Sequence, residues 1–289
     1  MGKVLKIDLT DRSVSEYPWE DSERELFLGG KIMAAKIISD NIKQKIDPFS
    51  EDNMLVITTG PMTGTGAPSS SRFNISTISP LTGFLASSNC GGNFGMFLKK
   101  AGYDGLVLTG KSKDRIWIEI SNDDVAFHEA DGLWGYTTGR TQEAIKGRNG
   151  KIVIGPAGEN LVRYASIFSE DRAAGRAGVG AVMGSKNLKA VVASGTRTVN
   201  VYDRDRLKKI NKKWVMRLKN HPLTGTQLPR LGTAGLLSTM NARKMLATRN
   251  FKYGQYKHFE NVSGECLAEK YLIKNKGCIS CPIQCSRVV

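Results

Sequence analysis

The sequence predicts an α+β protein: an N-terminal domain of two β-sheets related by a pseudo-twofold internal repeat, followed by part of an α-helical domain. Three observations predict it. Short apolar runs separated by glycine-dense loops fill the first 200 residues, and one order of strand, turn, loop and helix occurs twice among them. Beyond about residue 200 the apolar spacing changes from that of strands to that of helices. The domains are therefore set at 1–200 and 201–289.

Taken in order, Leu5, Ile7 and Leu9 alternate with polar residues, as on a half-buried strand, and Ile116, Ile118 and Ile120 form a second alternating set. The runs at 54–57, 106–108, 152–154 and 190–193 read as further strands. Helices are expected over 31–45 and around 94–101. In the second part, Asp203 is placed to cap a helix whose Leu207, Ile210, Trp214, Val215 and Leu218 fall at helical spacing. Helices are also expected over 231–246 and 263–274, and Cys266 on the last of these is expected in the core.

The repeat rests on short matches. Gly105-Leu106-Val107-Leu108-Thr109-Gly110 falls on Ala190-Val191-Val192-Ala193-Ser194-Gly195 at an offset of 85. The same offset lays Asn89-Cys90-Gly91-Gly92 on Ala174-Gly175-Arg176-Ala177. Upstream, Gly60-Pro61 echoes Gly155-Pro156, and Arg72-Phe73 echoes Arg163-Tyr164. Two like halves pack about a pseudo-twofold axis, which brings their glycine-rich loops together.

Composition excludes several classes. With 40% hydrophobic and 24% charged residues the chain is not a disordered one. No apolar run approaches the ~20 residues that span a bilayer, and the N-terminus lacks the apolar stretch of a signal peptide, so no membrane is expected and the cytoplasm is the expected location. The net charge of +15 is lopsided, +2 over residues 1–200 and +13 over 201–289, with an excess concentrated in 204–219. That run reads first as a solvated helix face and second as a docking face for an acidic partner. It lacks the aromatic platform or docking motif of a nucleic-acid binder, so no nucleic acid is expected.

Two groups of residues carry chemistry. Gly91-Gly92 and Gly175, Gly178 and Gly180 each precede an expected helix, where backbone N–H groups approach an anion closely. Arg72, Arg172 and Arg176 lie in or near these segments and suit bidentate phosphate contact. A paired arrangement of two such loops suits a ligand with two phosphate ends better than a mononucleotide. The second group is Cys278, Cys281 and Cys285, a C-x2-C-x3-C run. Three thiolates in one loop suit an iron–sulfur cluster with a distant fourth ligand. Zinc is the rival, with Cys266, Cys90 or His258 as its fourth ligand, and buried thiols without metal are the third reading.

The segments Thr59-Gly60-Pro61-Met62-Thr63-Gly64-Thr65, Ser79-Pro80-Leu81-Thr82-Gly83-Phe84, Gly155-Pro156-Ala157-Gly158-Glu159-Asn160 and the run 172–189 resemble the N-terminal domain of the aldehyde:ferredoxin oxidoreductases, in order and along essentially the whole chain. The resemblance implies a base of two β-sheets under a tungsten (or molybdenum) bis-pterin, with Mg2+ bridging the pterin phosphates. It implies cofactor contacts at Arg72, Gly91, Arg172, Gly175 and Arg176, and Mg2+ ligands at Asn89 and the carbonyl of Ala174. As the apparent repeat-mate of Arg72, Arg163 is a further expected contact. Cys278, Cys281 and Cys285 fall where the family holds a [4Fe–4S] cluster. The implied reaction oxidises aldehydes to carboxylic acids. Ferredoxin or an Fe–S electron-transfer subunit would be the acceptor, and a homodimer is one expected assembly. The chain reads first as a fragment or the product of an interrupted gene, second as one part of a split enzyme completed by a second polypeptide, and third as a cofactor-binding module with another role.

No D-x-x-G-L segment of the kind that grips the pterins occurs in these residues. The family's catalytic residues and fourth cluster cysteine are accordingly expected beyond position 289, and the chain alone is expected to be inactive. Two alternatives remain: a non-catalytic Fe–S electron-transfer or scaffold subunit, and a family relative acting on aryl-CoA or other carboxylates.

Overall fold

Val4 and Leu5 point to opposite faces of the first strand, β1 (Lys3–Asp8), and both are buried. The alternation of Leu5, Ile7 and Leu9 predicts one wet face; the structure instead covers both, because helices and a second sheet lie on either side. Two-sided cover explains the unbroken apolar runs at 54–57, 106–108, 152–154 and 190–193. The structure is a computed structural model describing residues 2–122 and 124–289. It divides into two units, one running through Tyr202 and one from Asp203 to Val289.

The first unit holds two six-stranded sheets of identical strand order. In sheet one the order is β2 (Val14–Glu16), β1, β6 (Tyr103–Thr109), β3 (Leu55–Thr59), β4 (Phe73–Ile78) and β5 (Leu85–Cys90). In sheet two it is β8 (Val125–Glu129), β7 (Ile116–Ile120), β12 (Leu188–Ala193), β9 (Gly150–Val153), β10 (Ile167–Ser169) and β11 (Arg172–Ala174). In each, only the pairing of the first strand with the last is parallel: β1 with β6, and β7 with β12. The internal repeat is therefore real, and longer than the sequence matches indicate, since each copy also begins with a hairpin.

Register defines the equivalences. Gly105, Thr58, Asn74 and Asn89 form one cross-strand row, and Ala190, Val153, Phe168 and Ala173 form its counterpart. By this row Asn89 matches Ala173 and Cys90 matches Ala174, one residue away from the sequence alignment. Arg72 matches Ser166, not Arg163. The reason is a loop one residue longer in the second copy: helix α3 (Phe94–Ala101) is capped by Asn93, three residues past Cys90, and helix α6 (Val179–Ser185) by Gly178, four past Ala174.

The two sheets share one core, in which Phe73 of β4 packs on Phe94 of α3 with ring centroids 5.4 Å apart. Helix α3 packs on the second sheet as well as its own, and α6 on the first as well as its own. Outer faces are covered by α2 (Gly30–Asn41), with Met33, Ala34, Ile37 and Ile38 inward, and around Ile145, just past α4 (Thr138–Ala144). Helix α2 stops at Asn41 rather than running to 45, because Asn41 Nδ2 turns back to the Ile37 carbonyl and Ile42 is extended. The short helices α1 (Asp21–Phe27) and α5 (Pro156–Glu159) complete the unit.

Two buried lysines follow α6. Lys189 pairs with the buried Glu159 and donates to the Tyr136 carbonyl. Lys186 is fully buried and has no carboxylate partner among the described residues; its Nζ donates to the carbonyls of Asn53 (2.6 Å) and Gly110 (2.7 Å), both in the first repeat. Burial lowers its pKa to about 8, with Asp8, Glu51 and Asp52 opposing.

In the second unit, α7 (Arg204–Asn220) is capped by Asp203, whose Oδ1 accepts from Arg206 N. The expected helix over 231–246 is broken into α8 (Leu228–Leu231), a 3-10 turn and α9 (Leu237–Ala242), because Gly232 takes φ +63. The helix expected over 263–274 is α10 (Gly264–Lys270), after which β13 (Lys274–Lys276) pairs with β14 (Ser286–Val288). Cys266 is half-buried on α10 rather than in a core.

Replacing Lys186 by Met leaves two carbonyls without their donor, an expected loss of about 1–3 kcal/mol at neutral pH. Because the folded pKa lies below the unfolded value of 10.5, the unfolded chain binds more protons between pH 8 and 10.5. Wild-type stability therefore gains from this group as pH rises through that window, and the deficit of Lys186→Met widens. Denaturant unfolding at pH 7 and pH 10 measures both; a deficit that shrinks at high pH contradicts the assignment.

Candidate functional site

The site lies where the loops after β5 and β11 meet. Gly92 has φ +91, and a Cβ there would sit 2.6 Å from Ser169 Oγ, so the first loop lies directly on the second repeat. Gly178 has φ +64, and a Cβ there would be 2.1 Å from the Arg163 carbonyl oxygen. The amide of Arg176 donates to Ser88 Oγ at 3.0 Å, joining the second loop to β5. The juxtaposition expected from the repeat is present.

Between the loops opens a cleft of about 880 Å³, walled by Asn74 and Asn89 of the first repeat, Ala173, Gly175 and Arg176 of the second, and Lys31 of α2. A smaller cavity of about 240 Å³, lined by Gly30 and Arg72, shares Asn74 and Asn89 with it. Arg72 Nε donates to Asn89 Oδ1, and Ser71 Oγ donates to the Gly92 carbonyl, tying this rim to the first loop. Among the described residues no carboxylate lines either space, whereas Lys31, Arg72 and Arg176 do. The surface is built for an anion.

Of the residues singled out from sequence, Arg72, Asn89, Gly175 and Arg176 come together here. Gly91 is buried beside Asn89, and Ala174 is buried with its backbone paired to Ile167. Arg172 opens β11, opposite Ser169. Arg163 is exposed, its carbonyl packed on Gly178, and the symmetry argument for it lapses with the register. Sequence reasoning missed Lys31 and Asn74. The glycine pair before Lys31 was a signal for the first; nothing local marks the second, whose position depends on pairing with Asn89.

The donor chemistry fits a phosphate-bearing cofactor with a bound cation. Asn89 Oδ1 has a second lone pair beyond the one Arg72 uses, and a Cβ at Gly175 would come within 3.7 Å only of Ser166 Oγ, so space remains at that backbone.

Cys278, Cys281 and Cys285 lie in the loop between β13 and β14, each half-buried and outside any disulfide. Cys281 N donates to the Cys278 carbonyl at 3.0 Å, and Ser280 and Gln284 take positive φ. The donor type fits a thiolate-bound cluster. No group of three His, Cys, Asp or Glu side chains able to hold a metal occurs among the described residues.

Against known families, residues 4–195 match the aldehyde ferredoxin oxidoreductase N-terminal domain, and residues 209–289 match domains 2 and 3 of the same family. The chain belongs to the aldehyde ferredoxin oxidoreductase family. It is 41% identical to the tungsten-containing aldehyde ferredoxin oxidoreductase of Pyrococcus abyssi and 40% to that of Pyrococcus furiosus, covering 99% of this chain and 48% of each. It thus spans about half the length of these curated relatives. A 33% match is the aliphatic sulfonate oxidoreductase, WOR-like subunit, of Pyrococcus furiosus, covering 99% of this chain and 49% of that protein. Among solved structures, the active site complex BamBC of benzoyl coenzyme A reductase with 1,5-dienoyl-CoA superposes with a TM-score of 0.85 at 31% identity, covering 100% of this chain and 47% of that one. No helix among the described residues is long and apolar enough to cross a membrane.

Thiol reactivity checks the cysteine environments. In the reduced, native chain, iodoacetamide is expected to label Cys278, Cys281 and Cys285, while Cys90, 1% exposed, reacts only after denaturation. Peptide mapping that finds Cys90 labelled as fast as the loop thiols contradicts its burial.

Proposed function

We propose that the first unit is the cofactor-binding base of a tungsten- or molybdenum-dependent bis-pterin oxidoreductase, and that the second carries its [4Fe–4S] cluster. The observation behind this reading is the carboxylate-free cleft between two like repeats, with Asn89 on one side and Gly175 and Arg176 on the other. A ligand with two phosphate ends suits such a cleft. Arg72, Arg172 and Arg176 would hold phosphate oxygens, and the glycine backbones at 91 and 175 would allow close approach. Asn89 Oδ1 and the Ala174 carbonyl would hold Mg2+, whose hardness suits oxygen ligands. Cys278, Cys281 and Cys285 would ligate the cluster, leaving one ligand to come from elsewhere.

When bound, the pterin-held metal would supply the two-electron oxidation of an aldehyde and water to a carboxylic acid with release of two protons, and the cluster would supply a one-electron route to the acceptor. This chain's own part is to hold, orient and neutralise. Cationic side chains offset the phosphate charge, and the Arg72–Asn89 bond fixes the side chain that would face the cation. The acceptor in this reading is ferredoxin or an Fe–S electron-transfer subunit, in the cytoplasm. The assembly in this reading is homodimeric.

A second reading has its own observation. The likeness to a benzoyl coenzyme A reductase complex extends over the whole chain, so the same base is compatible with reduction of an aryl-CoA thioester. Higher identity to the aldehyde enzymes puts the aldehyde first.

Elemental and pterin analysis of the chain, co-produced with a polypeptide supplying the second half of the family fold, tests the proposal. Tungsten or molybdenum is expected with pterin, magnesium and iron. Arg72→Ala and Asn89→Ala are expected to lower the heavy metal and pterin about tenfold while iron stays, a loss near 1.4 kcal/mol of binding. Cys281→Ser is expected to lower iron instead. Iron without tungsten or molybdenum in every preparation would leave only an electron-transfer or scaffold role.

A further inference from the structure

We propose that Lys31 is a phosphate-binding residue of the cleft, supplying from outside the duplicated loops the cation that faces Arg176. The inference rests on the cofactor reading above and adds a residue to it.

The placement of Lys31 is built in by its neighbours. Gly29 takes φ +156, and a Cβ there would lie 2.5 Å from the Thr59 carbonyl oxygen, so only glycine lets the start of α2 close on the end of β3. Thr58 Oγ1 then donates to the Gly30 carbonyl at 2.8 Å, fixing the first helical turn. Inward Met33, Ala34, Ile37 and Ile38 seat the rest of α2 on the sheet, which sets the helix's rotation. Gly30 consequently lines the smaller cavity and Lys31 the larger. The helix enters the site through its first two residues.

The charge of Lys31 also lacks a structural use. Lys36 on the same helix pairs with Asp40 and Glu23, and Lys3 pairs with Glu16. Among the described residues no carboxylate pairs with Lys31 or with Arg176, and none lines the cleft they share. Two cations left unneutralised across a polar, acid-free cleft repel each other until an anion lies between them. Asn74 and Asn89 provide polar flanks but no countercharge. A dianionic phosphate group supplies it. The ammonium of lysine reaches such a group as a point charge, whereas Arg176 can engage it in a bidentate way.

Isothermal titration of the purified chain with inorganic pyrophosphate at low salt tests this. The wild type is expected to bind, Lys31→Met to bind about tenfold more weakly, and Lys31→Arg to stay near the wild type. Lys45→Met, an exposed lysine outside α2, controls for net charge and is expected to change nothing. Equal weakening by Lys31→Met and Lys45→Met would reduce the effect to general electrostatics and overturn the proposal. Unchanged binding by Lys31→Met, alongside loss in Arg176→Met, would overturn the role of Lys31 and keep the phosphate cleft. Failure of the wild type to bind pyrophosphate would remove the phosphate reading of the cleft, and Lys31's role with it. Circular dichroism of each variant separates lost binding from lost folding.

Discussion

The distance between the two sheets of the first unit is set where helix α3 meets the second repeat backbone to backbone. A Cβ on Gly150 would lie 2.5 Å from Phe94 Cα, and one on Gly195 would lie 1.9 Å from the Ala101 amide nitrogen. Glycines thus sit against both ends of α3, and no side chain larger than hydrogen fits at either. Because α3 also packs on its own sheet, this close approach pins the two repeats at one spacing. The loop leading into α3 is the first glycine-rich loop, so the same contact delivers Gly92 onto Ser169 and Asn89 to the cleft. Core packing and site geometry are one constraint here.

Within that frame the two halves are alike in topology and unlike in chemistry. Ladder register places Ser166 where the first repeat has Arg72, and Ala173 where it has Asn89. The second loop, one residue longer, offers the Arg176 side chain and more open backbone instead. A two-ended ligand would therefore meet a similar fold at each end but different donors: a guanidinium and an amide oxygen on one side, a longer loop with its own guanidinium on the other. Duplication provides the concavity, and divergence at a few positions would fix which way round such a ligand lies.

The legibility of the sequence followed the range of the interactions involved. Helix α3 was readable because its signals are local: apolar residues at helical spacing, then Gly102 at φ +102 closing the end. Strands of the shared core were readable as apolar runs. The hairpin partners were not: all three residues of β2 are exposed, and β8 is half-buried at a sheet edge, so neither carries a strong pattern. The break at Gly232 was overlooked because one glycine in a helical pattern is tolerable until its φ turns positive. The one-residue offset between Asn89 and its structural mate lay beyond the sequence, since only strand pairing reveals where a loop has gained a residue. The basic residues of the cleft were visible as types; their convergence, and the entry of Lys31, depend on tertiary closure.

The second unit differs in where its order comes from. Helix α7 buries none of its residues fully, and Ile210, Trp214 and Met216 on it are exposed, as is Phe251. Arg249, Asn250 and Phe251 all take positive φ, a costly run for side-chain-bearing residues. A unit with so little core draws little free energy from burial. In the proposed enzyme, thiolate–metal bonds at Cys278, Cys281 and Cys285 would contribute folding free energy to this unit. The cleft of the first unit, by contrast, is braced by a deep core and already shaped. The two cofactor sites of the proposed enzyme would thus be acquired differently, one by filling a formed cavity and the other by folding around its metal.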